Sequence, residues 1–155
     1  MKEISLYVHI PFCKQRCFYC DFPTFAGKEK YREEYIDALI KEIKEKCSNY
    51  IIKTIFIGGG TPSYLETKEL EKLLKVIKNL NLSKDIEYSM ECNPGTLTKE
   101  KLMVMKKSGV NRISFGLQSC NNKLLKEIGR IHTFEEFLEN YNLARDIGFE
   151  NINVD

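Results

Sequence analysis

Cys13, Cys17 and Cys20 fall within eight residues in a C-x3-C-x2-C spacing. Zinc sites usually use paired C-x2-C spacings and close with four protein ligands, whereas this loop offers three thiolates and no fourth beside them. Three thiolates on a four-iron cluster leave one iron open. An open iron can hold an exchangeable ligand, which a reactive cluster needs and a purely electron-carrying one does not. The plain alternative is a zinc ion completed by His9, Cys47, Cys92 or Cys120. Lys14 and Arg16 lie between the ligands; they either offset the charge of thiolates or are ordinary solvated loop residues.

A second signal is Gly58-Gly59-Gly60-Thr61-Pro62, where three glycines let backbone approach a ligand closely just before a helix start. It has neither the Walker Lys-Ser/Thr nor a G-x-G-x-x-G layout, so a phosphate or dinucleotide site is not indicated. Further polar groups follow apolar runs directly: Glu91, Cys92 and Asn93 after one, Gln118 after another, Asp155 after a third.

The elements that must position these groups alternate. Short β-rich runs are expected at residues 5–10, 54–57, 86–92, 112–116 and 151–154. Between them the apolar residues repeat with helical period: Ile36, Leu39, Ile40, Ile43 and Cys47 share one face, as do Leu70, Leu73, Leu74 and Ile77. Thr67 and Thr98 are expected helix N-caps, and Thr133 with Glu136 fits a capping box. Gly109 and Gly148 each end a helix before a strand, so SGVNRISF and IGFENINV read as two turns of one βα repeat. Strand and helix in strict alternation mean parallel strands joined by right-handed crossovers. The fold class is therefore α/β, a partial TIM-like barrel of four βα units and a fifth strand. In such a barrel the strands' C-terminal ends gather the functional groups, and every polar signal above falls at that rim. A full eightfold barrel takes ~250 residues, so residues 1–155 read as the N-terminal part of one domain, with an exposed edge strand and an apolar interior partly open to water.

Composition excludes several classes. The 155 residues are 43% hydrophobic and 30% charged, with a formal charge of +2, which argues for no nucleic-acid or acidic-lipid partner. No apolar run approaches the ~18 residues of a membrane span, and residues 1–13 lack the apolar core and cleavage site of a signal peptide. A cytoplasmic location is expected, where six cysteines do not make a disulfide framework.

In this order, YVHIPFCKQRCFYCDF, FIGGGTPSYL, ECNPGTL, RISFGLQS and IGRIH resemble the radical S-adenosylmethionine (SAM) proteins of the oxygen-independent coproporphyrinogen III oxidase family, and most its heme-chaperone branch. The resemblance implies a [4Fe-4S] cluster on Cys13, Cys17 and Cys20, with SAM on the open iron and its sulfonium cleaved reductively to a nucleoside radical. By motif, Tyr7, Gly59, Gly60, Thr61 and Glu91 would contact that SAM. Tyr19, Gln118, Arg130 and Asp155 match further binding positions, which in the oxidase branch serve a second SAM. Without the motifs, Glu91, Gln118 and Asp155 would be ordinary strand-end polar residues, Arg130 a surface partner for a nearby Glu, His9 a packed histidine and His132 structural. The oxidases carry a fourth cysteine two residues after the cluster motif, where Phe22 stands here, and a longer segment before the cluster than the twelve residues ahead of Cys13. Both departures point to the branch that binds heme and passes it to an acceptor protein. The second reading is the oxidase itself, an enzyme that decarboxylates porphyrinogen propionates.

Overall fold

The computed structural model describes residues 1–155. In chain order its elements are β1 (Lys2–Ile10), β2 (Phe12–Cys13), β3 (Phe25–Ala26), α1 (Arg32–Cys47), β4 (Tyr50–Gly59), α2 (Thr67–Lys78), β5 (Leu82–Cys92), α3 (Lys99–Lys107), β6 (Arg112–Phe115), α4 (Asn122–Glu127), α5 (Phe134–Ile147) and β7 (Asn151–Val154). Five strands form one parallel sheet in the order β1-β4-β5-β6-β7, each beside the next in sequence among the long strands. That order is a barrel wall laid down strand by strand. β2 and β3 pair separately, at the ends of the loop that carries the cysteines. This small ladder and α4 lie outside the sequence expectation, because both are too short to show a period.

Side chains alternate across each strand, and the two faces differ sharply. Val8, Ile10, Ile55, Ile57, Tyr88, Met90, Ile113 and Phe115 are buried in one core with the apolar stripes of the helices. Ile36, Ile40, Ile43 and Cys47 of α1 are buried there, as are Leu70, Leu73, Leu74 and Ile77 of α2; Leu39 packs at the margin. The inner face is mostly polar. Its residues form layers across the register: Tyr7, Phe56, Ser89, Arg112 and Asn151 lie in one, and His9, Gly58, Glu91, Ser114 and Asn153 in the next towards the strand ends. Arg112 Nη1 donates to Ser89 Oγ (3.4 Å), and Asn153 Nδ2 donates to Ser114 Oγ (3.0 Å). The expected apolar interior is thus corrected. The core lies between sheet and helices, and the inner face holds only Tyr7 and Phe56 as large apolar groups.

Helix ends have local causes. Thr98 Oγ1 accepts from Lys101 N, and Thr133 and Glu136 form the reciprocal capping box. For α2 the cap is Glu66, one residue before the expected Thr67. Glu66 and Glu69 cap each other's backbone reciprocally, and Arg32 holds both carboxylates at 3.0 and 3.4 Å. The repeat expected across Gly109 and Gly148 is present: each turns the chain with positive φ, and the strands that follow, β6 and β7, pair in register from Arg112–Asn151 to Phe115–Val154.

Candidate functional site

The cysteine loop leaves β1 and is fastened to the rim by backbone. Gly60 N donates to Ile10 O (2.7 Å), Thr61 N to Phe12 O (2.9 Å) and Phe25 N to Pro11 O (2.8 Å). Only glycine fits at position 60, because a Cβ there would lie 2.9 Å from the carbonyl oxygens of both Ile10 and Phe12. Gly59 is held at φ +110°, with its N–H donating to Glu91 Oε2 at 3.1 Å. The far side of the loop docks on the turn after α4: Phe18 N donates to Ile128 O (3.1 Å) and Gln15 Nε2 to Gly129 O (2.9 Å).

Between the loop and the strand ends lies a cavity of about 180 Å³. Cys13, Cys17 and Cys20 all line it. So do Gly59, Gly60 and Thr61 from the β4 end, Glu91 from β5, and Gln118, Arg130 and Asp155 from the later strand ends, with Tyr19 on the loop side. Eight of the nine residues expected to touch a cofactor therefore share one cavity with the three cysteines. Tyr7 does not line it. It sits on the inner face of β1 with its hydroxyl on His9 Nδ1 (2.9 Å) and its ring stacked on Phe56.

Each thiol has its own polar neighbour. Thr61 Oγ1 donates to Cys13 Sγ (3.5 Å), Arg130 Nη1 donates to Cys17 Sγ (3.3 Å), and Cys20 Sγ lies 3.9 Å from Thr24 Oγ1. Burial pushes the Cys13 thiol up, against the hydrogen bonds from Thr61 and Thr24 that favour the thiolate. Burial also raises the Glu91 carboxyl; the Gly59 N–H opposes that and the nearby Asp155 adds to it. A half-buried carboxylate without a paired cation suits a cationic ligand.

Arg130 occupies the centre. Nη2 donates to Asn93 Oδ1 (2.8 Å) and to the Gly116 carbonyl, while the buried Nε has no partner. Asn93 in turn donates to Thr61 Oγ1 (3.1 Å), so one amide links the cysteine side of the cavity to the arginine. Behind it, half-buried Lys101 donates to Ser63 O (2.8 Å) and Thr96 O (3.0 Å), tying the loops after β4 and β5 together. His132 is buried, donates from Nε2 to Leu117 O (3.2 Å), and is pushed down to about 4 by burial and then by the Arg130 charge. It is structural, as expected.

Sequence reading alone did not assign Asn93, Thr24, Gln15 or Ser114 to the site. Asn93 had a signal, its place directly after a strand. The other three are common residue types; Gln15 and Ser114 have partners far along the chain, and Thr24 meets Cys20 only through the fold of the loop. Of the residues weighed for a zinc ion, Cys47 is in the helical core, Cys120 is exposed and His9 is held by Tyr7 and the Pro23 carbonyl, while Cys92 is buried at the floor of the cysteine cavity with its thiol donating to the Met90 carbonyl. No three His, Cys, Asp or Glu side chains come together at single-ion spacing.

The model of the Radical SAM superfamily matches residues 7–155, and the chain belongs to that superfamily. Membership implies a [4Fe-4S] cluster and SAM. The chain is 44% identical to the heme chaperone HemW of Bacillus subtilis over 97% of its own length and 41% of that protein's. It is 40% identical to HemW of Escherichia coli, over 100% and 42%. The solved structure of coproporphyrinogen III oxidase (HemN) from Escherichia coli, a radical SAM enzyme, matches with a TM-score of 0.89 at 31% identity, over 99% of this chain and 36% of that one. The chain thus spans about two fifths of the length of the curated relatives it matches. No helix is long and apolar enough to cross a membrane.

The residues present fit both groups. The donor set is three thiols on one loop that line one cavity, which suits a multi-iron cluster with one iron left open. Beside them are a glycine cradle, an unpaired buried donor at Arg130 Nε and a carboxylate with no cation.

Proposed function

We propose that residues 1–155 form the cofactor-binding part of a cytoplasmic radical SAM heme chaperone of the HemW type, a protein that binds heme and hands it to an acceptor protein. The observation that supports it most is the single cavity shared by Cys13, Cys17, Cys20, Gly60 and Glu91, on a chain whose relatives at 40 and 44% identity are heme chaperones. Cys13, Cys17 and Cys20 would hold the [4Fe-4S] cluster. Gly59, Gly60, Thr61 and Glu91 would receive SAM, and Tyr19, Gln118, Arg130 and Asp155 would complete the wall. The bound groups supply one-electron reduction of a sulfonium.

What the chain itself contributes is placement and electrostatics. The Gly60 and Thr61 N–H groups fix the cysteine loop on the rim. Thr61 and Arg130 direct donors at the sulfurs of Cys13 and Cys17. Glu91 faces the cationic ligand, and Arg130 with Asn93 keeps loop and strand ends at one spacing. Phe22, in place of the oxidases' fourth cysteine, supports heme handling over porphyrinogen turnover. The close match to the HemN structure favours coproporphyrinogen oxidation as the second reading.

The test has two arms. Anaerobic reconstitution with iron and sulfide should give a brown protein holding about four irons per chain; a colourless zinc protein would overturn the cluster assignment. The reconstituted protein, given coproporphyrinogen III, SAM and a reductant, should form no protoporphyrinogen IX. In parallel it should bind hemin stoichiometrically. Formation of protoporphyrinogen IX, or absence of hemin binding, would overturn the chaperone reading.

A further inference from the structure

Asn93 reaches both sides of the cysteine cavity, and its own position is fixed several times over. Its backbone N–H donates to Ser63 Oγ (3.0 Å), its carbonyl accepts from Thr96 Oγ1 (2.7 Å), and those two hydroxyls lie 2.6 Å apart. Lys101 in turn holds the carbonyls of Ser63 and Thr96. These bonds clamp the main chain at residue 93 without using its side chain. Gly116 leaves room for the amide: a Cβ there would come within 2.9 Å of Asn93 Oδ1 and 3.0 Å of Arg130 Nη2.

Which way the amide faces follows from its partners. A guanidinium only donates, so the atom 2.8 Å from Arg130 Nη2 is the amide oxygen. The amide nitrogen is thereby turned to Thr61 Oγ1, 3.1 Å away, and that oxygen must accept. The Thr61 hydroxyl proton is then left for Cys13 Sγ at 3.5 Å. On the other side Nη2 also donates to the Gly116 carbonyl. Asn93 and Gly116 together set the plane of the guanidinium, which aims Nη1 at Cys17 Sγ, 3.3 Å away. One amide therefore orients a neutral O–H on one cysteine and a charged N–H on another. The third, Cys20, meets Thr24 of its own loop instead.

We propose that Asn93 is a positioning residue that raises the reduction potential of the cluster Cys13, Cys17 and Cys20 would hold. Hydrogen bonds to the ligand sulfurs are among the factors that set such potentials. A donor on a thiolate offsets negative charge, and the reduced state carries one more negative charge than the oxidised one, so each donor favours reduction. Asn93 touches no sulfur itself. It acts through Thr61 and Arg130, and the charged donor of Arg130 is the stronger of the two. The inference rests on the cluster assignment and gives a task to a side chain that otherwise reads as a polar strand end.

The test is a redox titration of the reconstituted protein in the absence of SAM, after iron and sulfide have been quantified. Dithionite is the reductant, and the reduced cluster is counted by electron paramagnetic resonance. Asn93→Leu should make one-electron reduction about tenfold less favourable, a fall of about 59 mV in midpoint potential. Thr61→Val should cost about threefold. Asn93→Leu/Thr61→Val should lie within about twofold of Asn93→Leu alone, because valine removes a hydroxyl that leucine has already released from its orientation. An unmoved potential in Asn93→Leu overturns the proposal even if iron content falls, since a purely structural amide would cost cluster and leave the potential of the remainder unchanged. A loss of about thirtyfold in the double variant, the product of the two single losses, also overturns it. Wild type that takes up no cluster would overturn the cluster assignment itself. Should Asn93→Leu take up none, Asn93→Ser, too short to bridge both partners, carries the same expectations.

Discussion

Replacing Arg130 by Met should unfasten the site from within, and the structure sets the size of the effect. The guanidinium donates to Cys17 Sγ, to Asn93 Oδ1 and to the Gly116 carbonyl. Hydrogen bonds to a charged group contribute roughly 1.5–3 kcal/mol each, the one to sulfur less. Against them stands the unpartnered Nε, which costs about 1–3 kcal/mol. The balance is a loss of about 2–4 kcal/mol in the metal-free, reduced protein. At an m-value of ~2 kcal/mol/M, the urea midpoint falls by ~1–2 M. A second readout separates charge from packing. Arg130 helps hold His132 at about 4, so in the variant that imidazole should titrate higher. The chain has two histidines, which makes the NMR titration simple to assign. Arg130→Lys should restore part of the His132 shift and little of the stability, since an ammonium lacks the planar fork. A midpoint within experimental error of wild type, together with an unmoved His132, would refute the linking role.

Three other outcomes are expected. Glu91 has its carboxyl raised chiefly by burial, so the folded state binds that proton more tightly than the unfolded one, and stability falls as pH rises from the ordinary carboxylate value through the raised one. Glu91→Gln should therefore stabilise the metal-free protein at neutral pH in thermal melts while weakening SAM binding by calorimetry; a less stable variant with unchanged SAM affinity contradicts this. His132 runs the other way: with its value lowered from 6.5 to about 4, the unfolded chain binds the proton first, and stability is lost as pH falls across that window, by about 3 kcal/mol. His132→Gln should flatten the pH profile of urea midpoints between those limits, and an unchanged slope would assign it to other groups. Gly60→Ala places a Cβ 2.9 Å from two rigid carbonyl oxygens; it should cost about 1–3 kcal/mol and lower iron incorporation, whereas wild-type iron content would show that the loop can shift without loss.

How far the sequence reads depends on how local each cause is. Periodicity located the helix faces of α1 and α2, because a stripe of Leu and Ile has one good use, and the five long strands followed from apolar runs between them. Spacing located the three cysteines, since the chain alone holds them in one loop. The cap at Glu66 was not legible, because its preference over Thr67 depends on Arg32, more than thirty residues away. Asn93 was visible at a strand end, but its bonds to Thr61 and Arg130 come from three separate loops. The polar inner face could be read in part from alternation: Tyr7, His9, Glu91 and Ser114 are the out-of-phase residues of their strands. Which face would be covered by helices was a matter of tertiary packing.

The bonds that complete the cysteine loop also impose an order in time. Cys17 meets Arg130 across 113 residues and Gln15 meets Gly129 across 114, while Ile10 and Phe12 wait for Gly60 and Thr61. As the chain is synthesised, the three thiols precede their last fastening by more than a hundred residues. A cysteine loop formed before the turn after α4 has emerged would lack its docking at Ile128 and Gly129 and hence its final shape.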